Sequence, residues 1–290
     1  MVTSSSPAVL KRWIGLELRR LRTAAGKSRP EVAARLDQSR TAVGHLETGR
    51  NLPSGPALEV LLGYYGVPER LPFFRDLINA ARKGRNWWDR LAEGVPPWLD
   101  LFLGLESGAA EINIFEIYLV PGLLQIPGYA EAVFWADPDL TDEELQRRMA
   151  VRLGRQTILD RADDPVRLWV VLDESVLYRR RGTPQVMAAQ IEHLIEASQR
   201  PRIDLQIMPL DAGAHVAQQG SFQHLKFPAE MVGDPGVVYL ELFGEGRFYS
   251  NEDPEEVARY EWAMTRLRVH AASQEQSRTL MQRALKQTIT

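Results

Sequence analysis

The chain has 290 residues, of which 25% are charged, and a formal net charge of −3 at pH 7. This length is sufficient for two domains that each bury a hydrophobic core. The sequence contains no cysteine, which excludes disulfide scaffolds, thiol nucleophiles, cysteine-based zinc sites and iron–sulfur clusters.

The charge is unevenly distributed along the chain. Residues 1–90 carry 16 Lys and Arg against 8 Asp and Glu, whereas residues 91–290 carry 19 against 30. A basic first third beside an acidic remainder favours phosphate binding by one end of the chain only. The alternative interpretation is chance clustering of charge on solvated helix faces, and charge alone does not distinguish the two.

No targeting or membrane segment is expected. The first residues, MVTSSSPAVLKRW, contain no long apolar run that would indicate a signal peptide. No segment has the apolar length needed to cross a bilayer. We therefore predict a cytoplasmic location, with which the lack of cysteine agrees.

The first 90 residues contain several short helical patterns. Residues 1–10 are expected to form a loose tail, and residues 13–25 a helix that ends at Gly26 with positive φ. Ser28 is expected to cap a second helix, and Ser39 a third. Between these two helices lies the turn Leu36-Asp37-Gln38.

The third helix is short and has two different sides. Val43 and Leu46 lie on one side, whereas the other positions are polar or small: Arg40, Thr41, Gly44 and His45. So short a helix persists only if its apolar side is buried against neighbouring helices. Its other side then faces outward and is narrow enough for the DNA major groove, which predicts a helix-turn-helix arrangement.

These segments resemble the Cro/phage-repressor (XRE) type of helix-turn-helix regulator. The resemblance is carried by LELRRLRTAAG (16–26), SRPEVAARL (28–36), SRTAVGHLETGR (39–50) and LPSGPALEVLLGYYGVP (52–68). It implies a regulator that binds double-stranded DNA. Asp37 stands where that family usually has glycine, a departure that we expect to be mildly destabilising, since Asp tolerates positive φ better than most residues.

The resemblance also implies individual roles. Arg40, Thr41 and His45 fall at the base-reading positions, where Arg suits guanine and Thr suits several base edges. Arg22 and Glu47 fall at positions that often form an ion pair between the first and third helices. Five residues are candidates for contacts with the DNA backbone: Arg29, Ser39, Gly44, Arg50 and Asn51.

Gly44 has two open interpretations. A glycine inside a helix costs roughly 1 kcal/mol relative to alanine. It either permits close approach to the groove or is a tolerated defect.

The predicted fold class is an all-α N-terminal helix-turn-helix domain (residues 1–83) followed by an α+β C-terminal domain (residues 99–290). Residues 84–98 (GRNWWDRLAEGVPPW) are predicted to be the linker, where the paired tryptophans pack at a domain junction or, less favoured, stack on a ligand. Residues 68–83 are predicted to be helical. About five strands are expected, together with long C-terminal helices. The strands are residues 112–118, 167–172, 203–208, 222–227 and 237–242, and the helices 128–136, 142–161, 184–199, 254–271 and 273–287.

Four C-terminal segments resemble the large domain of actinobacterial antitoxin-like regulators. They are VPGLLQIPGYAEAV (120–133), WVVLDESVL (169–177), DAGAHVAQQGSF (211–222) and VVYLEL (237–242). This resemblance implies control by a small partner protein encoded nearby.

The sequence predicts no enzyme and no cofactor. The five histidines lack a metal-ligand spacing, and the chain has no glycine-rich phosphate loop. Asp211, His215 and Ser221 lie in one loop, but a G-x-S-x-G turn is absent, and triad members normally come from separate elements. A candidate ligand pocket, for a small-molecule effector, is lined by Tyr118, Trp169, His215, Phe222 and Tyr239.

The leading hypothesis is a sequence-specific transcriptional regulator, located on the nucleoid when bound to DNA. A homodimer would place two third helices about 34 Å apart and read a pseudo-palindromic operator. The alternatives are an antitoxin-like interaction module controlled by a small partner protein, and an enzyme with a DNA-binding head.

Overall fold

A computed structural model describes residues 6–84, 86–89, 97–218 and 220–289 of the chain. The chain forms two compact units. The first comprises Met1–Asp89, Leu99–Gly108 and Phe227–Asp234. The second comprises Arg90–Trp98, Ala109–Lys226 and Pro235–Thr290.

The first unit is helical, and its helices begin and end largely where the sequence predicts. The helices are α1 (Pro7–Ala24), α2 (Arg29–Leu36), α3 (Arg40–Glu47), α4 (Gly55–Tyr64), α5 (Leu71–Lys83) and α6 (Pro97–Ser107). Gly26 has φ 66° at the end of α1. Ser28 Oγ accepts from Glu31 N, and Ser39 Oγ accepts from Ala42 N, which confirms both predicted caps.

One sequence prediction for this region was wrong, and one helix was not predicted. Residues 1–10 were expected to be a tail, but α1 begins at Pro7, and Val9 and Leu10 are buried. Helix α6 was not predicted and begins within the proposed linker at 84–98. Of that linker, residues 85 and 90–96 lie outside the described part of the chain.

The paired tryptophans of the proposed linker are packed. Trp88 is buried, and its Nε1 donates to Asp100 Oδ1 at 2.8 Å. The ring of Trp87 lies edge-on to it, with ring centroids 5.4 Å apart. Trp88 therefore contributes to the interior of the first unit.

The core of the first unit includes a segment that is distant in the sequence. Met231 belongs to the same buried cluster as Leu18, Val32 and Leu62. Arg12 of α1 forms a buried ion pair with Asp234, in which Arg12 Nε lies 2.8 Å from Asp234 Oδ2. Their side chains are only 7% and 3% exposed. The helical first unit, which we call the head, is thus completed by residues 227–234, far beyond residues 1–83 in the sequence.

The second unit contains one mixed sheet. Its order is β3-β2-β1-β4-β5-β6, with β1, β2 and β3 parallel and the remaining pairs antiparallel. The strands are β1 (Glu111–Glu116), β2 (Arg167–Asp173), β3 (Ile203–Met208), β4 (Phe222–Lys226), β5 (Val237–Leu242) and β6 (Glu245–Tyr249). All five predicted strands are present, and β6 is a sixth that the sequence did not reveal.

The remaining helices accompany the sheet. They are α7 (Pro127–Phe134), α8 (Asp142–Gln156), α9 (Ser175–Tyr178), α10 (Pro184–Ala197), α11 (Pro254–His270) and α12 (Gln274–Ile289). Helix α11 packs on one sheet face, where Phe115, Val171 and Phe222 share a buried cluster with Leu267. Helix α12 contacts β3 and α10. The α+β class predicted for the C-terminal region is confirmed.

Glu116 is the last residue of β1, and its carboxyl group is largely shielded from water. It lies near Ser221, and Ser221 Oγ accepts from Ile117 N at 3.1 Å. Burial, opposed by the hydrogen bond from Ser221, raises the pKa of Glu116 to about 7. The folded state therefore holds a proton that the unfolded state releases near pH 4.5.

We predict that Asp234→Ala lowers the free energy of unfolding by about 3–5 kcal/mol, because it removes the carboxylate that accepts two hydrogen bonds from the buried Arg12 guanidinium. Glu59→Ala is the control, since Glu59 pairs with Arg75 on an exposed surface and should cost less than about 1 kcal/mol. Urea unfolding measures both. Replacing the pair with Arg12→Met and Asp234→Leu should recover most of the loss, and equal effects of Asp234→Ala and Glu59→Ala would contradict the assignment.

We also predict that Glu116→Gln removes a pH dependence of stability. The contribution of protonated Glu116 is complete below pH 4.5 and is lost as the pH rises through about 7. The wild type should therefore lose up to roughly 2 kcal/mol relative to Glu116→Gln between pH 5 and 8. Chemical denaturation at several pH values, with the exposed Glu131→Gln as control, tests this. Parallel pH profiles for wild type and Glu116→Gln would refute it.

Candidate nucleic-acid interface

Helices α2 and α3 are joined by a tight turn. Asp37 ends α2 with φ 52°, so it occupies the left-handed region that its position requires. Gln38 N donates to Ala33 O at 2.9 Å and closes the turn. This geometry explains why Asp can stand where the resembling family has glycine.

The structure separates the two sides of α3. Val43 and Leu46 are buried in the core of the first unit. Ser39, Arg40 and Thr41 are exposed at the beginning of the helix. Among the residues that the structure describes, neither Arg40 nor Thr41 has an ion pair or a side-chain hydrogen bond. Both side chains are therefore available for contact with another molecule.

Gly44 and His45 lie further along the same helix and are partly buried. A Cβ built on Gly44 would have no heavy atom within 4 Å. No described neighbour inside the molecule therefore requires a glycine at this position. The two interpretations of Gly44 remain open on structural grounds alone.

Helix α1 crosses the end of α3 at a very short distance. A Cβ on Gly15 would lie 2.7 Å from Gly49 N and 2.8 Å from Leu46 O. Gly49 has φ 75°, and a Cβ there would lie 2.6 Å from Lys11 O. Only glycine permits this backbone contact, which fixes the end of α3 against α1.

Glu47, the last residue of α3, connects three helices. Its carboxylate is 2% exposed and accepts from Arg22 of α1 and from Arg29 Nε of α2, the latter at 2.7 Å. Arg22 Nη1 also donates to Lys27 O at 2.6 Å. Hydrogen bonding to Glu47 raises the pKa of Arg22. The structure thus brings Arg22 and Glu47 together and adds Arg29, which the sequence did not connect with them.

Arg29 keeps donors beyond those that Glu47 uses. A guanidinium has five N–H groups, and only Nε of Arg29 is engaged with Glu47. The first amides of α2 are less available, because Ser28 and Glu31 form a capping box there. The Arg29 side chain is therefore a better candidate for phosphate contact than the helix terminus itself.

The other residues that could contact DNA lie just after α3 or just before it. Arg50 and Asn51 are exposed after the helix, and Asn51 N donates to His45 O at 3.1 Å. Arg35 and Gln38, which were not among the predicted contact residues, are exposed beside the turn. Both are polar residues next to the predicted turn, Arg35 at the end of α2 and Gln38 directly before the Ser39 cap.

The five residues of the candidate ligand pocket do not share one surface. Trp169 and Phe222 lie on the sheet face that α11 covers, whereas Tyr239 pairs with Gln223 on the opposite face. Tyr239 stacks on Trp98, with ring centroids 6.4 Å apart. Tyr118 is exposed. Strand alternation sends Tyr239 and Phe222 to opposite sides of the sheet, so the structure does not bring these two residues together.

His215 and Ser221 make separate contacts. His215 packs edge-on against Phe115, and its Nδ1 accepts from Ala217 N at 3.3 Å. Ser221 Oγ instead accepts from Ile117 N. In the described ranges no group of three His, Asp or Glu side chains is placed to hold a metal ion. No helix in the described part of the chain is long and apolar enough to cross a membrane.

Comparison with known families assigns both parts of the chain. Residues 13–71 match a helix-turn-helix domain, and residues 99–283 match a domain of unknown function, DUF5753. No curated protein and no solved structure matches the chain. The DUF5753 match covers more than half of the length of this chain, so the chain belongs to the DUF5753 family. The helix-turn-helix domain precedes the DUF5753 domain.

Proposed function

We propose that this protein is a sequence-specific transcriptional regulator of the Cro/phage-repressor (XRE) type. The observation that carries the proposal is the exposed start of α3. Arg40 and Thr41 have no described partner. On the opposite side of α3, Val43 and Leu46 are buried, and Glu47 forms ion pairs with α1 and α2. A rigid helix with an exposed polar side suits the major groove.

The proposed division of labour follows from the environment of each residue. Arg40, Thr41 and His45 read base edges, and Arg40 suits the O6 and N7 atoms of guanine. Ser39, Arg50 and Asn51 contact the DNA backbone, as does Arg29, which Glu47 orients through its Nε. The net positive charge of residues 1–90 supports binding of phosphates by this part of the chain.

The regulator acts as a homodimer on a pseudo-palindromic operator. Two recognition helices about 34 Å apart meet successive major grooves on one side of the duplex. The DUF5753 domain carries the pairing and the regulatory input. The protein acts in the cytoplasm, on the nucleoid, by binding rather than by catalysis, which the separate contacts of His215 and Ser221 support.

A second candidate, control by a small partner protein, is favoured by one feature. Phe243 is fully exposed at the turn between β5 and β6, beside the partly exposed Leu242. Turn positions usually hold small or polar residues, because a large apolar side chain there gains nothing within its own chain. An antitoxin-like module would use this tip to bind its regulator, and DNA binding by α3 would be retained.

We predict that Arg40→Ala and Arg29→Ala weaken DNA binding in different ways. Arg40→Ala should cost about 1–3 kcal/mol and relax the preference at one base position. Arg29→Ala should weaken binding to all sequences and reduce the slope of log K against log salt by about one. Duplexes selected from a random pool, followed by footprinting over a salt series, measure both effects.

The exposed Arg75→Ala is the control for this experiment, because Arg75 lies on α5 and pairs with Glu59. It should leave both affinity and base preference unchanged. Identical behaviour of Arg40→Ala and Arg29→Ala would contradict the assigned roles. A wild-type chain that binds no duplex at low salt would end the proposal.

A further prediction concerns Gly44. Gly44→Ala should stabilise the fold by about 0.5–1 kcal/mol, because alanine is the better helix former and its Cβ meets no atom. If DNA lies close to this point, the same methyl group should weaken binding at least about tenfold. Gly63→Ala, at an equally open position in α4, should not weaken binding. Thermal unfolding and DNA titration of both variants decide between the two interpretations, and unchanged DNA affinity of Gly44→Ala would favour a tolerated defect.

A further inference from the structure

The connection between β4 and β5 belongs to the head and not to the sheet. Residues 227–234, which we call the β4–β5 segment, are part of the first unit, although β4 ends at Lys226 and β5 begins at Val237 in the second. Met231 of this segment is buried in the same cluster as Leu18 of α1. The DUF5753 part of the chain therefore supplies a piece of the head that carries α3.

Both ends of the β4–β5 segment contact the same side chain of α1. At one end, Asp234 forms the buried ion pair with Arg12, and two hydrogen bonds join the planar guanidinium to the carboxylate. At the other end, Arg12 Cζ lies 5.4 Å from the centre of the Phe227 ring. Two parallel hydrogen bonds fix the direction of a guanidinium as well as its distance. Arg12 therefore cannot move relative to this segment without losing these contacts.

The backbone of Arg12 lies against the end of α3. A Cβ built on Gly49 would lie 2.6 Å from Lys11 O and 3.0 Å from Arg12 Cα. Gly49 is two residues beyond Glu47, the last residue of α3. Because no side chain fits between them, a shift of α1 at Arg12 displaces the end of α3. Arg12 thus contacts α3 through its backbone and the β4–β5 segment through its side chain.

We propose that Asp234 is a positioning residue for α3. Through Arg12 it fixes α1 at the point where the end of α3 rests, while Arg40 and Thr41 lie at the other end of α3. A helix of eight residues is about 12 Å long, so a tilt of about 5° at its last residue moves its first residue by about 1 Å. A binding site must be held to within about 0.5 Å of its productive geometry. The inference rests on the proposed function in one respect, namely that α3 reads DNA.

The chemistry of the pair favours a positional role. A buried ion pair adds little net stability, because the loss of hydration offsets most of the attraction between the charges. An apolar contact of similar volume stabilises a fold equally well, but it does not fix direction. Arg12 and Asp234 are only 7% and 3% exposed, so their geometry is set by the pair and not by water. Stability and position can therefore be separated by substitution.

The first test uses the full-length double variant Arg12→Met/Asp234→Leu, in which an apolar contact replaces the ion pair. Its affinity for a duplex selected by the wild type should fall about tenfold or more, because Arg40 and Thr41 are misplaced. Its affinity for a random duplex should stay within about threefold of the wild type, since phosphate contacts carry no sequence information. Unfolding in urea confirms that the variant is folded.

The matched control is Glu59→Leu/Arg75→Met, which makes the same replacement at an exposed pair of the head that joins α4 and α5. It should leave both affinities unchanged. If the Arg12→Met/Asp234→Leu variant is as stable as the wild type and binds the selected duplex equally tightly, the pair is structural only and the proposal is overturned.

A second measurement requires no DNA and a milder change. Asp234→Asn removes the charge with little change of shape, and amide hydrogen exchange of the full-length chain then reports how firmly α3 is held. Exchange in residues 39–50 should become at least about tenfold faster than in the wild type, whereas α10 in the second unit should be unchanged. Equal protection of residues 39–50 in Asp234→Asn and in the wild type would overturn the proposal.

The outcomes separate this inference from the proposed function. A wild-type chain that binds no duplex at low salt refutes the proposed function, yet faster exchange of α3 in Asp234→Asn still supports its positioning by Asp234. A wild type that selects a duplex, together with an Arg12→Met/Asp234→Leu variant that binds it equally well, retains the proposed function and refutes the positioning role.

Discussion

The geometry of the helix-turn-helix depends on the buried carboxylate of Glu47. A carboxylate that is 2% exposed is stable only if its charge is compensated, and here Arg22 and Arg29 compensate it together. Because these arginines belong to α1 and α2, one group at the end of α3 fixes the position of all three helices. It also stabilises the outward orientation of Arg40 and Thr41, since the helix cannot rotate without breaking both ion pairs.

The steric counterpart of this electrostatic constraint is the contact between Gly15 and Gly49. No side chain fits between α1 and the end of α3, so the helices are held at a distance that only backbone atoms allow. One turn earlier on α1, Arg12 pairs with Asp234. The same helix therefore supports α3 and binds a segment that the chain supplies more than 200 residues later. The head that carries α3 is compact in space but not continuous in sequence.

Local signals explain what the sequence could predict. The caps Ser28 and Ser39 each accept a hydrogen bond from a backbone amide three residues later, so the interaction is local in the sequence. Strands such as β2 and β5 are visible in the sequence as runs of apolar residues. The positive φ of Asp37 followed from its place in the turn. The features that were missed all depend on distant partners. The spacing of Arg29 and Glu47 in the sequence does not show that they form an ion pair. Strand β6 is short, contains two charged residues and a glycine, and is paired with β5 alone. The segment around Asp234 has no local pattern that would place it beside α1. The separation of Tyr239 from Phe222 was not predictable for a related reason, since the pairing of β4 with β5 decides which face Tyr239 occupies.

The proposed function assigns recognition to α3 and pairing to the DUF5753 domain, and the energies of the two would combine in a definite way. When two heads are linked, the second binding event becomes intramolecular, so affinity for a palindrome exceeds that for a half-site without any new base contact. Under this proposal a change at the pairing contact would alter this gain and leave the base preference of α3 intact, whereas a change at Arg40 would alter the preference and leave the pairing intact. A ligand or partner that loosened the proposed pairing contact would weaken binding to a palindrome although it touched neither α3 nor the DNA. Such separation requires that each head be rigid by itself, which the buried ion pairs of Glu47 and Arg12 provide.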